Sequence, residues 1–244
     1  MGTQIPRGQL DDVAIIGLAC RFPGGASNES KFWELLHKRR SAHSKTPSDR
    51  YNIEAFHHPS NGKLNILRAA GEHFLDGNMA AFDAPFFDIT SQEAKAMDPT
   101  GRLLFEVSYE ALENSGLPIE SIAGSDPSCY VGCFTRDYYE MMMRDAESAP
   151  IISVVSGANV ILGPDLSLWL SNLNMLSASG LSKSFSDEVS GYGRGEGIAT
   201  VILKSVADAI KDGDTIRAII RGTGVNPDGH TTGITVPYCD AQAD

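Results

Sequence analysis

His230 and Asp228 stand two residues apart in the loop-like stretch Asn226-Pro-Asp-Gly-His-Thr-Thr232, where an imidazole and a carboxylate could share one proton-handling site. They are the first general acid–base candidates of the chain, set against the plainer expectation of a histidine in a solvated loop. Cys20, Cys129, Cys133 and Cys239 are the candidate nucleophiles, but a reactive thiol needs an exposed, electropositive site. Cys20 falls in a turn, Cys129 and Cys133 in the pattern of a buried strand, and Cys239 beside an aspartate, so reduced and mostly buried thiols are expected. No Cys-x-x-Cys pair is present, which argues against a zinc knuckle or a disulfide framework. His57 and His58 have no carboxylate or cysteine at ligand spacing and read as surface loop residues, so no metal is expected. The ladder Gly191-Tyr-Gly-Arg-Gly-Glu-Gly197 leads into a strand, whereas a dinucleotide loop must leave a strand and open a helix. It reads as a close crossing of backbones, not a nucleotide site. Met141 to Met143 would suit a partner's surface or the margin of an incomplete core.

These residues need elements to hold them, and the apolar pattern supplies an alternation of short strands and helices. Val13 to Ala19 is continuously apolar and suits a strand covered on both faces. Phe32, Leu35 and Leu36 recur at helical spacing, with a basic cluster at the helix end. Ser41 to Gly71 reads as a long irregular excursion. Gly101 to Asn114 carries an apolar stripe and stops at Gly116 and Pro118. Buried strands are expected at Ser128 to Phe134, Ile151 to Leu162, Ile198 to Leu203 and Thr215 to Arg221, with a helix from Val206 to Ile210. The whole is an α/β layered fold in one domain from Asp12 to Asp244, behind a flexible stretch of residues 1–11. With 244 residues, 42% of them hydrophobic, the chain can bury a substantial core. Its net charge of −11 argues against a nucleic-acid partner. The apolar runs are too short for a membrane-spanning helix, and the start of the chain lacks the apolar stretch of a secretory signal, so a cytoplasmic location is expected.

Six stretches occur in order: VAIIGLACRFPGG (Val13 to Gly25), FFDITSQEAKAMDPTGRLLFEVSYEALENSGLP (Phe86 to Pro118), GANVILGPD (Gly157 to Asp165), LSNLNMLSASG (Leu170 to Gly180), GYGRGEG (Gly191 to Gly197) and GTGVNPDGHTTGITVP (Gly222 to Pro237). Together they resemble the ketosynthase of modular and fungal-type iterative polyketide synthases. The resemblance implies a thiolase-like layered α/β fold, incomplete here and consisting mainly of the N-terminal half of a ketosynthase. It also implies a dimer, and a decarboxylative Claisen condensation of substrates carried on the phosphopantetheine of an acyl carrier protein. No other cofactor is implied. That reaction needs a cysteine thiolate at a helix N-terminus and two histidines that assist decarboxylation and hold the oxyanion.

The resemblance places the cysteine between the Ser128 to Phe134 stretch and the Gly157 stretch. The interval Thr135 to Ser156 contains no cysteine, which implies an internal deletion near Pro150 and Ile151. Both histidines of the family lie downstream of the GITVP stretch, beyond Asp244. The family's usual DPQQR becomes Asp98-Pro-Thr-Gly-Arg102, with a glycine where a helix should start, and the aspartate-arginine pair before the glycine ladder becomes Asp187-Glu-Val-Ser190. His230 would line the approach to the family's active site. The expected function is that of an accessory or binding partner in polyketide biosynthesis without autonomous condensation, paired with itself or with an intact synthase. An enzyme recruited to release, hydrolyse or cyclise a polyketide intermediate through His230 and Asp228, and an incomplete gene model of an active synthase, are the alternatives.

Overall fold

Strand β1, Val13–Arg21, is built of small and β-branched residues that are buried or half-buried along both faces. The computed structural model describes residues 12–60, 63–125, 127–134, 137–144, 158–227, 229, 231–233, 235, 236 and 238. After β1 come helix α1 (Glu29–His37), capped by the Asn28 side chain accepting from Lys31 N, and the short antiparallel pair β2 (Ser44–Lys45) and β3 (Gly71–Glu72). Between these strands the described residues are largely irregular, as expected, apart from a 3₁₀ turn at Ile53–Ala55.

Helix α2 (Ser91–Ala96) opens on a reciprocal cap, the Thr90 hydroxyl accepting from Glu93 N while the Glu93 carboxylate accepts from Thr90 N. Helix α3 (Pro99–Ser115) follows. It begins two residues before the expected Gly101, because Asp98 accepts from Thr100 N and Pro99 occupies the first helical position. Gly101 therefore sits inside the first turn and does not interrupt it. The helix ends on Gly116 at φ 77°, the left-handed stop that the sequence signalled. The remaining elements are α4 (Ile119–Ile122), α5 (Asp137–Arg144), β4 (Ala158–Asn159), α6 (Asp165–Asn172), β5 (Gly197–Ser205), α7 (Val206–Asp212) and β6 (Ala218–Ile220).

The main sheet runs in the order β4-β5-β1-β6, with β4 antiparallel to β5 and β6 antiparallel to β1. The chain divides into a larger unit, Gly17–Ile202, and a smaller one of residues up to Ile16 and from Leu203 onward. In the smaller unit Val13 pairs with Ile220, Ser205 caps α7 through Asp208 N, and Gly213 ends that helix at φ 77°. In the larger unit α3 lies so close to β1 that a Cβ on Gly17 would meet Ala111 O at 2.4 Å and Ser115 Cβ at 2.5 Å. This contact lets Val107 and Ala111 enter a core with Ala19, Leu75, Met79, Ala158, Val160, Leu162 and Ile198. Each fully buried aliphatic side chain there contributes about 1.5–3 kcal/mol.

The stretch Ser128 to Phe134 departs from expectation. It is extended but exposed throughout, Tyr130 at 91% and Phe134 at 68%, and it forms no strand beyond a bridge from Cys133 to Ala158. A continuous apolar run reads as a buried strand only if other parts of the fold cover it, and none of the described residues does so here. Residues 151–157, the first part of the expected Ile151 to Leu162 strand, lie outside the described residues.

Candidate functional site

Of the residues singled out by chemistry, His230, Asp228 and Cys239 lie outside the described residues. Cys20 is buried as expected; burial pushes its thiol up, and the nearby Glu29 adds to this, so it is a poor nucleophile. Cys129 and Cys133 are exposed, which corrects the expectation of buried thiols and follows from the uncovered segment that carries them. His57 Nε2 lies 3.2 Å from Arg68 O, and His58 Nδ1 faces Ser60 Oγ at 2.7 Å. Both serve the irregular excursion between β2 and β3.

The glycine ladder is a crossing of backbones. A Cβ on Gly193 would sit 1.9 Å from Gly180 O, and one on Gly191 would sit 2.5 Å from Met175 O. Gly191 has φ 121°, a conformation open to glycine. The same ladder delivers two charged residues to the interior, Arg194 and Glu196, and each takes part in a buried polar joint.

Glu196 accepts at Oε2 from Leu75 N (2.6 Å) and Arg50 Nη2 (3.3 Å), and at Oε1 from Ile161 N (2.7 Å). Both side chains of the Arg50–Glu196 pair are withdrawn from solvent. Burial pushes the Glu196 carboxyl above its ordinary range, while Arg50 and the two backbone donors pull it back. Its oxygens are engaged, so it fastens the start of β5 to the chain after β3 and after β4 and is not a free base.

The second joint has Ser167 at its centre. Its hydroxyl accepts from Arg194 Nη1 at 2.5 Å and donates to Glu72 Oε1 at 2.9 Å. Asp137 accepts at Oδ2 from Leu162 N (3.3 Å) and Gly163 N (3.4 Å). Burial raises the carboxyls of both Glu72 and Asp137, and the Arg194 charge opposes it in each. Among the described residues, Glu72 Oε2 and Arg194 Nη2 have no hydrogen-bond partner. Glu72 borders a small cavity, lined also by Leu67, Arg68, Ala69, Ser171, Leu176 and Ser177, with room for about one water. His73 completes the arrangement: its N–H and its ring Nδ1 both reach Arg194 O, and its carbonyl accepts from Glu196 N.

This polar cluster escaped sequence reasoning. The only local signal was a pair of charges alternating in the ladder just before an apolar strand. Chemically it lacks a thiolate, and its carboxylates sit in structural bonds, so among the described residues it builds a frame and no nucleophilic centre. No helix of the described residues is long and apolar enough to cross a membrane.

The arrangement matches known proteins along nearly its whole length. The family model described as beta-ketoacyl synthase, N-terminal domain, matches in two pieces, residues 10–152 and 151–209. The highly reducing polyketide synthase Preu1 of Preussia isomera is 52% identical over 96% of this chain, and a highly reducing polyketide synthase of Didymella fabae is 43% identical over 96%. The chain spans 12% and 15% of the lengths of these two proteins. The alignment to the Preussia protein runs over 286 positions while taking in 96% of the 244 residues, so about fifty of its positions stand opposite no residue of this chain. Among solved structures, the oxazolomycin ketosynthase domain OzmH KS7 of Streptomyces albus JA3453 superposes with a TM-score of 0.86 at 25% identity, covering 96% of this chain and 49% of that one. The ketosynthase from module 6 of the bacillaene synthase of Bacillus subtilis 168 gives a TM-score of 0.81 at 27% identity, covering 95% and 47%. The six ordered stretches, the α/β layering and these matches agree: the chain belongs to the beta-ketoacyl synthase family and folds as part of a thiolase-like ketosynthase domain.

Proposed function

We propose that this chain takes part in polyketide biosynthesis as a ketosynthase-like protein that lacks the acyl-accepting segment, performs no condensation alone and acts as an accessory or binding partner. The pathway part rests on relatives that are polyketide synthases. The observation that carries the rest is the interval Thr135 to Ser156, which holds no cysteine. Two further facts support a deletion there: the family model resumes at residues 151–152, and about fifty positions of the Preussia relative have no counterpart. A nucleophile and its partners act as a unit, so losing the cysteine removes the mechanism instead of weakening it. An acyl carrier protein could still present its phosphopantetheine-borne substrate, but the chain offers no thiolate at the family's position to receive it.

The exposed apolar stretch Ser128 to Phe134 gives such a protein a reason to seek a partner, either a second copy or an intact synthase. Deletion of the gene in its native host, followed by metabolite profiling and rescue with this 244-residue form, tests the role. Loss and rescue of one polyketide is the expected result. An unchanged profile, or a transcript that restores a cysteine-bearing segment between Pro150 and Ile151, would overturn it.

A further inference from the structure

Glu72 uses only one of its two carboxylate oxygens within the described residues. Oε1 accepts from the Ser167 hydroxyl at 2.9 Å, while Oε2, on a residue only 6% exposed, meets no donor there. A buried carboxylate oxygen left without a donor is costly, and Oε2 is the oxygen left for the small cavity that Glu72 borders. The hydrogens of the cavity wall are largely turned elsewhere. Ser171 donates to Ile66 O at 2.8 Å, which leaves its oxygen able to accept, and Arg68 Nη2 donates to Leu176 O at 2.9 Å. Ser177, also in the wall and itself buried, has its Oγ 3.0 Å from Ser179 Oγ and 3.4 Å from Ser190 Oγ, and both of those serines are exposed.

We propose that this cavity binds one resident water molecule, which donates to Glu72 Oε2 and joins it to the Ser177 hydroxyl. A hydrogen-bonded path then runs from Ser179 and Ser190 at the surface, through Ser177 and the water, to the buried carboxylate. The site suits water better than its nearest rival, a monovalent cation. Water brings two hydrogens to a wall rich in acceptors, and it needs two to four polar partners, which Glu72, Ser171 and Ser177 supply. A cation would face Arg68 in the same wall and the Arg194 guanidinium, whose charge already acts on Glu72. The room is that of about one water. The site belongs to the fold, so it stands whether or not the chain condenses substrate.

A high-resolution crystal structure of the full chain, grown with rubidium chloride as the only added salt, reads the site directly. The expected result is a solvent peak within hydrogen-bond reach of both Glu72 Oε2 and Ser177 Oγ, with no anomalous scattering from rubidium. A rubidium peak, a peak that misses either residue, or a dry cavity would each overturn the proposal. Urea unfolding supplies a second arm. Ala69→Val fills the cavity from its wall and displaces the water, so the ionised carboxylate loses its donor. The folded-state carboxyl is then raised further while the unfolded one is unchanged, so the added loss of stability appears as pH rises. The overpacking cost of the two extra methyl groups is the same at every pH. The folding equilibrium of Ala69→Val is expected to fall about tenfold further at neutral pH than in the acidic range. In a Glu72→Gln background the loss is expected to be independent of pH. An equal loss at both pH values without Glu72→Gln, or a pH-dependent loss that survives it, would also overturn the proposal. Should Ala69→Val fail to fold, the crystal structure decides.

Discussion

Ser167 is fully buried and stands between Arg194, whose guanidinium it accepts from, and Glu72, to which it donates. Removing the hydroxyl would strand two more buried polar atoms beside the already unpartnered Glu72 Oε2 and Arg194 Nη2. Ser167→Ala is expected to lower stability by about 1–3 kcal/mol in urea unfolding. Glu72 supplies a pH signature. Burial raises its carboxyl above the ordinary value of 4.5, so the folded state holds the proton more tightly than the unfolded state does. The stability associated with protonated Glu72 is full below 4.5 and is lost as pH rises through the raised folded value. Glu72→Gln, which keeps an acceptor for Ser167, should therefore gain stability relative to the unaltered protein as pH rises from the acidic range to neutrality. Paired urea titrations across that range check it; a constant difference, or one of opposite slope, would contradict the burial argument. None of this was legible in the sequence. Arg50 and Glu196 are 146 positions apart, and nothing local tells a buried charge from a solvated one until its partner is known.

Helices were the more readable elements. The α3 stripe and its Gly116 stop are local features, and the helix formed over the residues they marked, starting earlier because Asp98 and Pro99 make a better opening than Gly101. That outcome revises the meaning of the glycine. A Cβ on Gly101 would meet its nearest atom, Met97 Cγ, at 3.6 Å, an ordinary contact. Gly101→Ala is expected to stabilise the protein by about 0.5–1 kcal/mol through the helix propensity alone, read as a raised denaturation midpoint. A fall would mean that the first turn of α3 has less room than its geometry indicates. Strands were legible where both neighbours are present, as in β1 and β5. The stretch Ser128 to Phe134 was misread because its apolar run predicts burial, while burial itself depends on the rest of the sheet.

At the scale of the molecule, six ordered stretches were enough to give the family and the α/β layering, and the superposition on solved ketosynthases bears both out. The acid–base candidates His230 and Asp228 both lie outside the described residues. What the fold adds is the frame: the glycine ladder crosses other backbones and plants Arg194 and Glu196 in the interior, as a ketosynthase-like scaffold with no thiolate among its described buried groups. The central claim is that this scaffold cannot accept an acyl chain. Intact-protein mass spectrometry after incubation with an acyl-pantetheine thioester tests it most directly. The account predicts an unchanged mass for the 244-residue chain, and an acyl adduct on any of its cysteines that turns over with malonyl thioester would contradict it.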